Sequence, residues 1–309
     1  GSGKTTQMPQ YLHEAGWSAG GRQVACTQPR RIAAQEVAAR VAEEQGTEVG
    51  NLVGYTVRFD DCSHPDNTRI KYLTDGMLVR ETMFDPLLLK YSVIMLDEAH
   101  ERSLYTDVLL GLLKKILRKR KDLRVIISSA TLDAENYYDF FSEKDKENQA
   151  AIISIPGRCF PIEVFYLEEA CARYADATVD AVMKIHAFEP AGDILCFLTG
   201  QREIEETCKA IEDSVADFEY ECSKGIVRTR PSCKKMLVLP LFAGLPAEYQ
   251  RSVFEPAPDG VRKVILSTNV AETSVTIPGI SYVVDCGMEK IRYYDHTTCQ
   301  EALVVVPCS

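Results

Sequence analysis

The stretch that decides the fold is YSVIMLDEAHERS, residues 91–103. Its first six residues are mainly apolar and predict a buried strand, and two carboxylates, Asp97 and Glu98, follow directly at the strand end. In an open α/β sheet the ligand crevice lies at the carboxyl ends of the strands. A solvated acidic turn is the alternative interpretation of an isolated Asp-Glu pair. The rest of the chain decides between the two.

A second signal for phosphate chemistry lies about 90 residues earlier, in GSGKTTQMPQ (1–10). This stretch is similar to the second half of a P-loop. In that interpretation Gly3 lets the backbone turn its N–H groups toward phosphate, Lys4 reaches the β- and γ-phosphates, and the Thr5 hydroxyl binds Mg²⁺. If residues 1–10 are a P-loop, Asp97 is interpreted as a Mg²⁺ ligand, usually through water, and Glu98 is interpreted as the base that orients the attacking water. The alternative is an ordinary glycine turn before a helix.

Short apolar strands alternate with amphipathic helices along almost the whole chain. This rhythm predicts an α/β fold with mostly parallel sheets, each covered by helices on both faces. A polar run at 142–150 interrupts it and predicts two domains, 1–150 and 151–309; residues 219–235 are interpreted as an inserted loop. The predicted strands are 23–27, 69–73, 91–96, 123–128, 162–167, 192–198, 236–241, 262–267 and 281–285, with a β-hairpin over 288–306.

Composition narrows the class of protein. The chain has 309 residues and a net charge of -10, which argues against non-specific coating of nucleic acid but allows a local basic groove. No apolar run approaches the roughly 18 residues that a membrane helix needs, so we expect no membrane partner. The eleven cysteines contain no C-x-x-C pair, and we expect reduced, mostly buried thiols in an intracellular protein.

Asp-Glu-Ala-His at 97–100 completes a resemblance to the DEAH-box RNA helicases of superfamily 2, and the branch it resembles is the spliceosome-associated one. The resemblance implies two RecA-like lobes, ATP and Mg²⁺ as cofactors, and coupling of ATP hydrolysis to movement on or remodelling of RNA. It also implies a nuclear location, single-stranded RNA as partner, and spliceosomal proteins or a helicase activator. The motifs that carry it are GSGKTTQ (1–7), TQPRR (27–31), TDGML (74–78), DEAH (97–100), SAT (129–131), FLTGQ (197–201) and STNVAETSVTI (267–277).

The resemblance also assigns roles to individual residues. Arg40 and Phe254 are similar to the pair that sandwiches the adenine, although a surface arginine and a core phenylalanine are equally good interpretations. Ser129 and Thr131 could equally cap a turn before a helix, and His100 could make only a structural hydrogen bond. The implied catalytic residues are Asp97, Glu98, His100, Ser129 and Thr131; the nucleotide contacts are Gly1, Ser2, Gly3, Lys4, Thr5, Thr6, Arg40 and Phe254; the contacts to the RNA backbone are Thr27, Arg30, Arg31, Arg58, Thr74, Gly200 and Thr273.

The family pattern extends beyond both ends of this sequence. It has G-E-T and a strand before GSGKT, and a motif with arginine fingers after VVVPCS. We therefore expect a chain truncated at both ends, with backbone exposed beside the missing strand and with poor ATP hydrolysis on its own. Two rival functions remain: an inactive isoform that binds RNA or protein, and a P-loop NTPase acting on a small substrate. The motifs FLTGQ and STNVAETS argue against the second.

Overall fold

The computed structural model divides the chain into two compact units, Gly1–Glu163 and Val164–Ser309. The assignment of residues 1–150 and 151–309 as an ATP-binding lobe and a C-terminal helicase lobe stays a prediction. No helix among the described residues is long and apolar enough to cross a membrane. The described residues are 2–130, 134–142, 150–157, 160–169, 171–224, 231–233, 235–271 and 277–308.

The first unit contains a six-stranded sheet. Its elements are β1 (Gln23–Gln28), β2 (Val53–Val57), β3 (Asp60–Cys62), β4 (Ile70–Thr74), β5 (Tyr91–Leu96), β6 (Arg124–Ile127), α1 (Lys4–Glu14), α2 (Arg31–Glu44), α3 (Asp75–Phe84), α4 (Leu104–Lys119) and α5 (Ala134–Phe141). The strand order is β3-β2-β4-β1-β5-β6, and every pair is parallel except β2 with β3.

Both faces of this sheet are buried. Because side chains alternate along a strand, neighbouring residues of β1 enter different cores. Ala25 packs with Leu78 of α3 and Leu113 of α4, whereas Cys26 packs with Ala38 and other residues of α2. This explains why β1 and β5 are buried along their whole length.

The expected exposure of backbone beside a missing strand stays a prediction. β1 pairs directly with β4 on one side and with β5 on the other. Its central residues Val24, Ala25 and Cys26 are fully buried. β1 is therefore an interior strand, whereas β6 ends the strand order, pairs among the described strands only with β5, and is exposed or only partly buried along its length.

The second unit contains a four-stranded parallel sheet in the order β10-β7-β9-β8 and a separate two-stranded antiparallel ribbon. Alternation again gives two cores, because Ile194 and Cys196 pack with Val182 and Ile204, whereas Leu195 packs with Val253. The elements are α6 (Tyr174–Phe188), β7 (Asp193–Phe197), α7 (Gln201–Ser223), β8 (Lys235–Leu241), α8 (Ala247–Ser252), β9 (Val261–Ser267), β10 (Ile280–Asp285), β11 (Met288–Asp295) and β12 (Gln300–Pro307).

The predicted α/β class is confirmed, with parallel-rich sheets covered by helices, and so is the C-terminal hairpin. Three local expectations are wrong. Residues 162–167 form no strand and are exposed, β2 and β3 were not predicted, and the stretch interpreted as an inserted loop begins as the last turn of α7. The cysteines are not mostly buried either, since among the ten described only Cys26, Cys196 and Cys233 are buried.

Candidate active site

The candidate site lies at the carboxyl edge of the first sheet. β5 ends at Leu96, so Asp97 and Glu98 emerge at the edge where β1 ends with Gln28. Helix α1 begins at Lys4 and packs against β1. Parallel strands bring their carboxyl ends to one edge, and the fold thereby joins two stretches that are far apart in sequence.

Asp97 is the centre of this edge. It is only 2% exposed, accepts a hydrogen bond from the Thr5 hydroxyl, and accepts another from the Gln28 amide at 2.8 Å. The backbone of Thr5 is fixed in turn, because the Tyr72 hydroxyl donates to its carbonyl oxygen at 2.9 Å. The motif at the start of the chain and the DEAH motif therefore meet through side chains.

The pair Thr5 and Asp97 fits a magnesium ion. Both described partners of the buried Asp97 carboxylate are neutral groups, and a buried carboxylate is stabilised by a cation. Hydroxyl and carboxylate oxygens are ligands that Mg²⁺ takes, and this ion commonly uses one or two protein ligands with water and phosphate. No group of three or more His, Cys, Asp or Glu side chains suited to a metal occurs among the described residues, so the protein would supply few of the ligands.

Lys4 and the turn before it form the phosphate side of the site. Gly3 caps α1 with a φ of 72°, in the left-handed region that glycine adopts without strain. The Lys4 ammonium group donates to the carbonyl oxygen of Ser129 at 3.0 Å. Ser2 and Thr6 lie beside this turn and are half-buried, and the Thr6 hydroxyl donates to the Gly3 carbonyl at 3.3 Å. The start of an 11-residue helix attracts anions.

Glu98 has the character expected of a general base. Burial raises the pKa of its carboxyl group above the usual 4.5, and the neighbouring Asp97 charge adds to this rise. His100 limits the rise, and its Nε2 lies 3.3 Å from Glu98 Oε2. Since the Ala130 amide donates to His100 Nδ1 at 3.4 Å, the proton of a neutral ring belongs on Nε2, where it points to Glu98.

The backbone of the DEAH turn is bound to the segment after β6. The Ala99 amide donates to the Ser128 carbonyl at 3.0 Å, and the Tyr137 hydroxyl donates to the Ala99 carbonyl at 2.9 Å. Ser129 is therefore close to both Lys4 and the DEAH turn, as its predicted role requires. Two other predicted residues, Gly1 and Thr131, lie outside the described residues.

The predicted RNA contacts in the first unit differ in exposure. Arg31 and Arg58 are exposed, and the Arg58 guanidinium stacks over the Phe59 ring at 4.8 Å. Thr74 is half-buried at the start of α3 and does not cap that helix with its side chain. Arg30 lies 3.8 Å from Glu101. Thr27 is fully buried, so this structure gives its side chain no surface for a ligand, and its role stays a prediction.

In the second unit, Gly200 precedes α7 and lines a cavity of about 520 Å³ together with Lys290 of β11 and the exposed side chain of Arg173. Thr273 lies outside the described residues.

The predicted adenine pair belongs to different units: Arg40 is exposed and paired with Glu43 and Glu44. Phe254 packs partly buried against Leu241, Val253 and other core residues. The surroundings of the two residues are therefore those of a surface arginine and a core phenylalanine, and their contact with adenine stays a prediction.

Sequence reasoning missed three residues that shape this site: Gln28, Tyr72 and Asp75. Gln28 is a polar residue directly after the predicted strand 23–27, and Asp75 lies two residues after the predicted strand 69–73. A polar residue at a strand end is also the signal that identified Asp97. Tyr72 lies inside a strand, and only the order of strands in the sheet shows that its hydroxyl reaches Thr5.

Comparison with known proteins agrees with the geometry. Residues 177–300 match the family described as "Helicase conserved C-terminal domain". Over 313 aligned residues the chain is 55% identical to "Probable ATP-dependent RNA helicase DHX35" of Homo sapiens, with 100% of this chain and 43% of the human protein covered. The protein of the same name from Pongo abelii is also 55% identical, with 42% of its length covered.

The chain thus spans less than half the length of the relatives that it matches. Over its own whole length, however, the identity is 55%. The chain is therefore similar to proteins named as probable ATP-dependent RNA helicases, which agrees with the family predicted from its motifs.

Proposed function

We propose that this chain forms the core of an RNA-dependent ATPase that works as an ATP-dependent RNA helicase. The contact between Thr5 and Asp97 carries the proposal, because it joins the phosphate-binding motif to the DEAH motif across 92 residues. The 55% identity to proteins named as probable ATP-dependent RNA helicases supports the same activity for this chain.

The residues of the site divide the chemistry among them. Thr5 and Asp97 would hold Mg²⁺, which neutralises charge on the phosphates when it is bound. Lys4 would exchange its contact with the Ser129 carbonyl for the phosphates of ATP. Glu98 would orient the attacking water and take up its proton, and His100 would keep the Glu98 carboxylate in place through the Nε2 contact.

RNA would bind as a single strand through its backbone. The residues assigned to this role are mainly hydroxyl, guanidinium and glycine backbone donors, which suit phosphate and sugar oxygens rather than base edges. We further propose a role in nuclear pre-mRNA splicing, with spliceosomal proteins or a helicase activator as partners, from the resemblance of the motifs to that branch. Depletion from a splicing extract followed by add-back tests this role, and unchanged splicing would contradict it.

The activity itself is tested by ATP turnover with and without single-stranded RNA. In a chain extended at both ends to the family pattern, we expect RNA to stimulate turnover and Glu98→Gln to abolish it while ATP binding persists. The present chain alone should hydrolyse ATP poorly. Glu219→Gln is the matched control, since Glu219 is an exposed carboxylate on α7. RNA binding by the extended chain without any ATP turnover would refute the enzyme and favour the RNA-binding module. ATP turnover that ignores RNA would favour an NTPase with a different substrate.

A further inference from the structure

The turn between β5 and α4 is strained at both ends. Glu98 and Arg102 have φ values of 51° and 49°, in the left-handed region that residues with side chains rarely adopt. A short 3₁₀ turn, Ala99–Glu101, lies between them. Such conformations persist only where surrounding contacts hold them, and they concentrate at functional and switching sites. Glu98, the proposed base, is the first residue of this turn, so contacts farther along the turn bear on its position.

Asp75 supplies the contacts at the far end of the turn. It is 3% exposed, and its Oδ2 accepts hydrogen bonds from Thr106 at 2.7 Å and from Ser103 at 3.3 Å. Ser103 in turn caps α4, because its Oγ accepts a hydrogen bond from the Thr106 amide at 3.1 Å. One buried carboxylate therefore fixes the start of α4.

The other oxygen of this carboxylate has no such role. Asp75 Oδ1 is buried without a hydrogen-bond partner. A buried acceptor left unpaired costs free energy. The charge of Asp75 suits the first turn of α3, but neither this nor the capping of α4 uses the second oxygen. A carboxylate with a free oxygen can instead change partners when its surroundings move.

Asp75 also adjoins one of the proposed RNA contacts. Asp75 directly follows Thr74, whose side chain is not used to cap α3. A second proposed RNA contact, Arg30, also reaches the turn between β5 and α4. Its guanidinium lies 3.8 Å from the carboxylate of Glu101 in that turn. The two loops proposed to bind RNA thus both reach the turn that begins with Glu98.

We propose that Asp75 is a positioning residue that couples RNA binding to ATP hydrolysis. RNA bound at Thr74 fixes Asp75, which holds Ser103 and Thr106 and thereby sets the turn that carries Glu98. This inference rests on the proposed function and extends it by naming how RNA regulates the hydrolytic site.

The test separates coupling from folding by a variant that removes one hydroxyl at nearly constant volume. Thr106→Val deletes the donor to Asp75, and Thr106→Ser retains it. Thr178→Val is the matched control, because Thr178 is a 2% exposed helical threonine of the second unit whose hydroxyl donates to a backbone carbonyl. ATP turnover is measured over a range of single-stranded RNA concentrations, and RNA affinity is measured by fluorescence anisotropy.

We expect Thr106→Val to keep basal turnover within about twofold and to keep RNA affinity, but to lose on the order of fivefold in RNA stimulation, as for the loss of a typical coupling between sites. Thr106→Ser should restore stimulation, and Thr178→Val should leave it unchanged. Asp75→Asn combined with Thr106→Val should lose no more than the larger single loss. Equal loss of basal and stimulated turnover, or undiminished stimulation in Thr106→Val, overturns the inference.

Hydrogen exchange of the unaltered protein gives a second test that needs no variant. Single-stranded RNA without nucleotide should slow amide exchange over residues 99–106. Unchanged exchange there, with RNA bound, overturns the coupling while leaving the proposed helicase activity intact. Absence of RNA-stimulated turnover in the chain extended at both ends overturns the proposed function together with the coupling.

Discussion

Glu98 carries its charge in a place that disfavours it, and the pH dependence of turnover should show this. Burial and Asp97 raise its pKa above 4.5, and only the ionised carboxylate accepts a proton from water. We therefore expect turnover to fall as pH decreases through this raised pKa, at a higher pH than for an ordinary glutamate. The measurement is kcat against pH at saturating ATP and RNA. An acidic limb at or below 4.5 would contradict the assignment.

The same pKa makes a prediction about stability. A raised folded-state pKa means that folding favours the protonated Glu98 carboxyl group. The stability gained from that group is therefore complete below pH 4.5 and is lost as pH rises through the raised pKa. Glu98→Gln should therefore raise Tm at pH 7. The gain should vanish near pH 4, and thermal unfolding at both pH values measures it. A gain that is equal at the two pH values would exclude this electrostatic origin.

Lys4 is proposed to act in ATP binding, whereas Glu98 is proposed to act in ATP hydrolysis. Its ammonium group is a direct charge partner for phosphate, and loss of a hydrogen bond to a charged group costs about 1.5–3 kcal/mol. Lys4→Ala should therefore weaken ATP binding by roughly ten- to hundredfold, measured as Kd with a fluorescent nucleotide. Lys115→Ala, which removes an exposed lysine of α4, should bind ATP normally. Normal ATP affinity in Lys4→Ala would remove this residue from the phosphate site.

At the scale of elements, the β2–β3 hairpin depends on a close backbone approach at Gly54. A Cβ atom there would lie 2.6 Å from the Cys62 carbonyl oxygen, which backbone cannot easily relieve. We expect Gly54→Ala to destabilise the first unit by about 1–3 kcal/mol. The control is Gly111→Ala in α4, where no neighbouring atom lies within 4 Å of the added Cβ, and where the gain should be about 0.5–1 kcal/mol. Denaturant unfolding distinguishes them, and equal stabilities would show that the hairpin yields.

The elements that the sequence predicted well are those whose signal is local. β5 is mainly apolar and is followed by two carboxylates, so its burial followed from residues 91–96 alone, and its place at the site followed once the GSGKTT stretch was added. The segment 162–167 is also largely apolar, but no strand in the described part of the chain pairs with it, and it is exposed. Apolarity shows what a segment can bury and does not show which partner is present.

Polar residues were harder to predict than apolar ones. The run 114–121 reads as a solvated basic face, yet Arg120 is 5% exposed and donates to the carbonyl oxygens of Leu87, Leu88 and Tyr91. Its function is to satisfy backbone acceptors of a neighbouring loop. Asp75 was missed for the same reason, because its partners on α4 are distant in sequence and the contact exists only after the helices pack.

At the scale of the whole molecule, the net charge of -10 limits how RNA can bind. An acidic protein repels RNA at long range, so affinity must come from local contacts, and its salt dependence should count the phosphates that they neutralise. For Z phosphate contacts to a single strand, the slope of log K against log salt is about -0.7Z.

Two exposed or half-buried residues of the first unit separate the kinds of contact. Thr74→Ala removes a neutral donor, so affinity should fall alike for all RNA sequences while the slope stays unchanged. Arg58→Ala removes an exposed cation, so the slope should become less negative by about 0.7. Lys115→Ala removes an equally exposed cation outside the proposed track and should change neither quantity. Anisotropy titrations with several RNA sequences over a range of salt concentrations measure both quantities. A loss confined to one RNA sequence would show base recognition, and it would contradict a track that binds the RNA backbone.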